Sequence, residues 1–78
     1  MIRPTKPLAL RLLATLEALF GNDVPAQRSF VFATAQSLVS ILNTATQFPA
    51  DMISSDDLHD TVDFFWANRN EPVTNERN

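Results

Sequence analysis

Apolar residues recur with a helical period along three segments of the chain, and turn-forming residues separate these segments. The first segment ends at Phe20 and consists almost entirely of strong helix formers. Pro7 suits a first helical turn, Thr5 suits the capping position before it, and Gly21 suits the end of the helix. The pattern predicts a first helix over about residues 6–20.

The second segment has the widest apolar face. Asn22 and Pro25 are typical of a helix start, and the next proline is Pro49, so we predict a helix over about residues 24–48. At about 100° per residue the apolar positions cover roughly 200° of this helix, more than a surface helix needs. We therefore expect a long central helix that is covered from two sides. Its apolar positions are Val31, Ala35, Leu38, Leu42 and Ala45 in the middle, Phe30, Ile41 and Phe48 on one flank, and Phe32 and Val39 on the other.

The third segment begins at Ser54 with a capping-box pattern followed by acidic residues, which the helix dipole favours in a first turn. Leu58, Val62, Phe65 and Trp66 then share one face, so we predict a helix over about residues 54–70. Residues 71–78 contain one apolar residue and predict a disordered C-terminal tail. The fold class that follows is all-α, a small three-helix bundle forming a single helical domain over residues 1–70.

Composition agrees with one small folded domain. The chain has 78 residues, of which 45% are hydrophobic and 19% charged, which excludes the disordered class. It contains no cysteine, so disulfides and thiolate metal sites are excluded. A core of this size supplies little stability, and the helices carry more apolar surface than they need among themselves. We therefore expect the remaining apolar surface to form a homodimer or a groove for a partner protein.

Charge is distributed unevenly along this acidic chain, whose net charge is −3. Residues 29–50 carry no charge, whereas residues 51–63 contain five aspartates. The acidic balance argues against binding to nucleic acid. The uncharged run is rich in Ser, Thr, Asn and Gln, which argues against a membrane span. We expect a cytoplasmic protein.

The densest polar cluster lies in the third predicted helix, where Asp56, Asp60 and Asp63 share one face with His59 at its edge. Such a cluster could hold a divalent cation or serve as an acid–base pair. A solvated face is the favoured interpretation, and an electrostatic docking surface is the next. The chain also lacks a glycine-rich phosphate loop and a nucleophile motif. We predict no catalytic residue, no metal and no cofactor, and hence a protein that is not an enzyme.

Two further features bear on partner binding. Phe64 projects away from the Leu58 face, and it is either an interface anchor or a residue covered by the first helix or the tail. The second helix carries an uncharged polar stripe, which is either an interface or plain solvated surface. The polar stripe consists of Ser29, Ala33, Gln36, Ser40, Asn43 and Gln47. The candidate partner-binding residues are accordingly Phe64, Asp56, Asp60, Asp63, Gln36, Ser40 and Asn43.

These patterns favour a small protein–protein interaction module that associates with itself and binds and modulates another protein. Proteins of this size and composition are common among phage, plasmid and regulatory accessory proteins. The alternative is a nucleic-acid-binding regulator of the helix-turn-helix type. The acidic third helix disfavours that alternative, because its carboxylates would repel phosphates.

Overall fold

The computed structural model describes residues 3–21 and 23–70, which form three α-helices that all pack against one another. Helix α1 spans Pro7–Phe20, α2 spans Arg28–Asn43 and α3 spans Ser55–Asn70. A single 3-10 turn at Pro49–Asp51 lies in the connection between α2 and α3. The predicted all-α three-helix bundle is confirmed. The predicted tail at residues 71–78 lies outside the described residues.

Helix α1 ends as predicted, but its start differs in detail. Gly21 has a positive φ of 54°, and its N–H donates to the carbonyl of Glu17 at 2.9 Å. A residue with a side chain is strained at such a φ, which explains why glycine suits this position. At the other end Lys6, not Thr5, occupies the capping position, and no side chain caps the helix there.

Helix α2 is shorter at both ends than the predicted 24–48. It begins at Arg28, after Pro25, and it ends at Asn43. Beyond that point the N–H of Thr44 and that of Ala45 each bond a carbonyl three residues back, and the Thr44 hydroxyl donates to the Ile41 carbonyl at 2.6 Å. Short hydroxyl side chains compete with the helical backbone bonds in this way. The run of polar residues after Asn43 therefore ends the helix well before Pro49.

The capping box at the start of α3 is confirmed. The backbone N–H of Ser54 donates to Asp57 Oδ2, and the backbone N–H of Asp57 donates to Ser54 Oγ, both at 3.1 Å. This reciprocal pair satisfies two donors that the first turn of a helix otherwise leaves without partners. The sequence placed this helix start within one residue.

The core is built mainly from α1 and α3. Helix α1 contributes five buried residues, whereas α2 contributes only Val31 and Ala35. Helix α2 packs against both α1 and α3, but these two helices leave Phe30 and Ile41, on one flank of its apolar arc, exposed. Its positions Leu38, Val39 and Leu42 are half-buried against the core. The fully or nearly fully buried apolar residues are Leu8, Ala9, Leu12, Leu13, Leu16, Val31, Ala35, Ile53, Leu58, Val62 and Phe65.

Candidate protein–protein interface

The acidic residues of α3 divide into two groups. Asp56 and Asp60 are exposed, and neither makes an ion pair within the described part of the chain. Asp63 pairs with Arg28 Nε at the start of α2. The sequence grouped these three carboxylates on one face, but the structure leaves only Asp56 and Asp60 available to a partner.

Arg28 is the centre of a small cluster that joins α2 to α3. Besides pairing with Asp63, its guanidinium lies 5.5 Å from the centre of the Phe32 ring and 3.4 Å from His59 Nδ1. The imidazole of His59 and the Phe32 ring lie 4.7 Å apart between centroids. The one imidazole of the chain is thus engaged in contact between the two helices.

Asp57, in contrast, faces the start of α1. Its Oδ2 accepts a hydrogen bond from Lys6 Nζ at 2.6 Å, and Lys6 Nζ also donates to the carbonyl of Met52 at 3.0 Å. The hydrogen bond from the Lys6 ammonium, followed by the one from the Ser54 backbone N–H, lowers the pKa of Asp57. This contact between Lys6 and Asp57, which lie 51 residues apart in the chain, therefore connects the beginnings of two helices.

Phe64 is neither fully exposed nor fully buried. Its ring packs at the margin of the core, and the guanidinium of Arg3 lies 5.6 Å from the ring centre. A cation over an aromatic face is a favourable contact at a partly exposed site. Arg3, in the segment that precedes α1, therefore covers part of Phe64, and the predicted tail lies outside the described residues. The neighbouring Phe65 and Trp66 belong to the core, as predicted, with Phe65 buried and Trp66 half-buried.

The polar stripe of α2 also separates into two parts. Gln36 and Ser40 are exposed. The side-chain amide of Asn43 bonds both backbone groups of Ile53: its Oδ1 accepts from the N–H at 2.8 Å, and its Nδ2 donates to the carbonyl at 3.2 Å. Asn43 thus holds the end of the α2–α3 connection, and its amide is already occupied by this contact.

The sequence patterns did not identify one exposed apolar surface of α2 as a candidate interface. Phe30 is 60% exposed and Ile41 is 65% exposed, and Phe48, in the loop that follows, is 67% exposed. Phe30, Thr34, Ser37 and Ile41 fall within about 60° of one another around the helix. We call these four residues the outer stripe. The sequence pattern places Phe30, Ile41 and Phe48 on one flank of the apolar arc. The width of that arc is the signal that could have predicted their exposure.

A shallow cleft of about 150 Å³ lies between the N-terminal segment and α3. It is smaller than the roughly 300–1,000 Å³ typical of small-molecule sites. The hydroxyl of Thr61, which is fully buried, has no hydrogen-bond partner in the described structure. The cleft is lined by Arg3, Pro4, Thr5, Lys6, Ala9, Asp57, Asp60 and Thr61.

The described residues also bear on metal binding and on membrane insertion. Within residues 3–21 and 23–70, no three His, Cys, Asp or Glu side chains converge as a group that could hold a metal ion. Over the same residues, no helix has the length and apolar character needed to cross a bilayer.

Comparison of the chain with protein-family models, with curated proteins and with solved structures finds no match.

Proposed function

We propose that this chain is a small non-enzymatic protein–protein interaction module that associates with itself and binds another protein, whose activity it modulates. The observation that carries the proposal is the exposure of Phe30 and Ile41 on a single helix face. Isolated exposed apolar residues are ordinary, whereas aligned ones mark interaction surfaces. Phe30 and Ile41 remain 60% and 65% exposed after the helices of the chain have packed.

The charge distribution supports the same proposal. No charged residue occurs from Ser29 to Ala50, so a partner of α2 meets an uncharged surface. The centres of protein interfaces are depleted of charge and enriched in aromatic residues, while their rims are polar. The outer stripe has the composition of an interface centre.

The solvent face of α3 supplies a second surface of different character. Asp56 and Asp60 lie one turn apart, exposed and without ion pairs among the described residues. Carboxylates at the rim of a contact mainly increase association rate and select a basic partner surface. We assign this face to the protein that the module modulates, and the outer stripe to self-association. The same carboxylates weigh against the helix-turn-helix alternative, because they would meet phosphates.

The test is affinity capture from the native host with the full chain as bait, followed by quantitative mass spectrometry. The double variant Asp56→Asn/Asp60→Asn is compared with a matched control, Asp23→Asn/Asp51→Asn, which removes two other exposed aspartates. We expect one protein to be enriched by the wild type and the control and lost with the α3 variant, with binding then reproduced between purified proteins. Retention of nothing beyond the blank matrix would overturn the proposal.

A further inference from the structure

The side-chain sizes in the outer stripe follow the same order from either end: large, small, small, large. Its four positions are spaced by four, three and four residues, the spacing of a helix-pairing seam. Large apolar side chains, Phe30 and Ile41, stand at the two ends, about 16 Å apart along the helix axis. The small residues Thr34 and Ser37 lie between them. A surface with bulky ends and a small middle lets another helix approach closely at its centre.

We infer that the outer stripe binds a second copy of this chain, with the two α2 helices antiparallel about a two-fold axis. The inference rests on the self-association included in the proposed function and specifies its surface and geometry. A two-fold axis between residues 35 and 36 places Phe30 of each copy beside Ile41 of the second copy. The same axis places Thr34 beside Ser37. Each large side chain then meets a large one, and each small side chain meets a small one, as an isologous contact requires.

Among the faces of the chain, charge favours this one for contact with a second copy. Two copies of a chain with net charge −3 repel each other wherever their acidic faces meet. The outer stripe carries no charge, and Arg28, the nearest charged residue before it in α2, is turned towards Asp63 of α3. This face therefore lets two copies approach without placing like charges in contact.

The polar atoms of the stripe do not oppose burial. The hydroxyl of Thr34 already donates to the carbonyl of Phe30 within the same helix, at 3.1 Å. A polar group that keeps its hydrogen bond loses little when water is removed from around it. Thr34 can thus present its methyl group to the second copy, and Ser37 is small enough to fit beside it.

The apolar area of the outer stripe sets the expected affinity of the dimer. With Phe30 60% and Ile41 65% exposed, these side chains from both copies would bury about 450 Å² of apolar surface, judged from typical aromatic areas. A specific stable interface buries roughly 1,200–2,000 Å² in total. The outer stripe alone falls well below that range, at the size of weak, transient contacts. We expect a weak, concentration-dependent dimer with a Kd on the order of 10–100 μM.

Sedimentation velocity of the full chain, from about 5 μM to about 1 mM, tests the location of the contact. We expect the wild type to shift from monomer to dimer across this range. Ile41→Lys should raise the Kd by at least about 30-fold, as loss of a large apolar contact at an interface can do. Ser40→Lys is the matched control, because it adds the same charge one residue earlier, about 100° around the helix. Circular dichroism verifies that both variants remain helical, as expected for exposed positions.

Cysteine cross-linking tests the orientation, since the chain has no cysteine of its own. An equimolar mixture of Phe30→Cys and Ile41→Cys chains should form a mixed disulfide under mild oxidation. Each variant alone should not, because identical positions of an antiparallel pair lie about 16 Å apart. Cross-linking of each variant with itself, and not with the other, would show parallel helices and overturn the antiparallel arrangement.

Failure of this inference can be told apart from failure of the proposed function. If the wild type stays monomeric up to about 1 mM, the outer stripe does not bind a second copy. The same conclusion follows if Ser40→Lys disrupts the dimer and Ile41→Lys does not. Either result leaves open the capture of another protein through Asp56 and Asp60, which a monomer can also perform. Loss of that capture, with the dimer intact, overturns the proposed modulation of a partner and not the dimer.

Discussion

Replacing Asn43 with alanine should destabilise the fold more than an alanine at any other position of the polar stripe. Its side chain is the only one in the polar stripe with hydrogen bonds to a distant part of the described chain, two of them to Ile53. Ile53 is 5% exposed, so its backbone groups have little access to water when the amide is removed. The change Asn43→Ala deletes both bonds without altering the charge of the chain.

The expected loss follows from these two contacts. A typical hydrogen bond contributes about 0.5–1.5 kcal/mol net, and leaving a buried backbone group without a partner costs about 1–3 kcal/mol. Asn43 itself is half-buried, so water can replace part of the lost contact. We therefore expect a loss of about 2 kcal/mol in the free energy of unfolding. For a domain of this size that corresponds to a decrease in Tm of about 10 °C.

Urea unfolding followed by far-UV circular dichroism measures this loss. With a slope of about 1–2 kcal/mol per molar urea, the midpoint should fall by about 1–2 M while the slope stays unchanged. Ser40→Ala, at an exposed position of the same helix, is the control and should change stability by less than about 0.5 kcal/mol. If Asn43→Ala lost no more stability than this control, Asn43 would not hold the α2–α3 connection.

Four further changes test the core and the capping network. Leu16→Ala should cost about 2–5 kcal/mol because Leu16 is fully buried. Leu42→Ala should cost about 1–2 kcal/mol, since this side chain is half-buried; equal losses in urea unfolding would contradict the burial difference. Thr61→Val should raise the free energy of unfolding by about 1 kcal/mol, because it removes a buried hydroxyl without a partner, and a lower Tm would refute this. Because the fold lowers the pKa of Asp57, its ionised form contributes stability that is present above the unfolded pKa of about 3.9 and is lost as pH falls through the folded value. The stability difference between wild type and Asp57→Asn should therefore shrink in urea titrations below about pH 4, and a constant difference down to pH 2 would contradict it.

Local sequence signals determined the helices and several of their ends. The apolar period of α1, the positive φ of Gly21 and the Ser54–Asp57 capping box each involve residues within a few positions of one another. Propensity, capping and periodicity act over this range, which explains why they can be predicted from the chain alone. The same signals identified Phe65 and Val62 as core.

Tertiary contacts decided the roles of the polar residues of α2 and of Lys6. Asn43 bonds Ile53 ten residues further on, and Lys6 bonds Asp57 from the opposite part of the chain. Helical periodicity does not predict such pairs, because they depend on how the loops place the helices against one another. The sequence likewise showed that α2 is apolar over a wide arc, but it could not show which flank its neighbours cover. Two helices of this length bury one side of a third, so Val31 and Ala35 became core while Phe30 and Ile41 stayed at the surface.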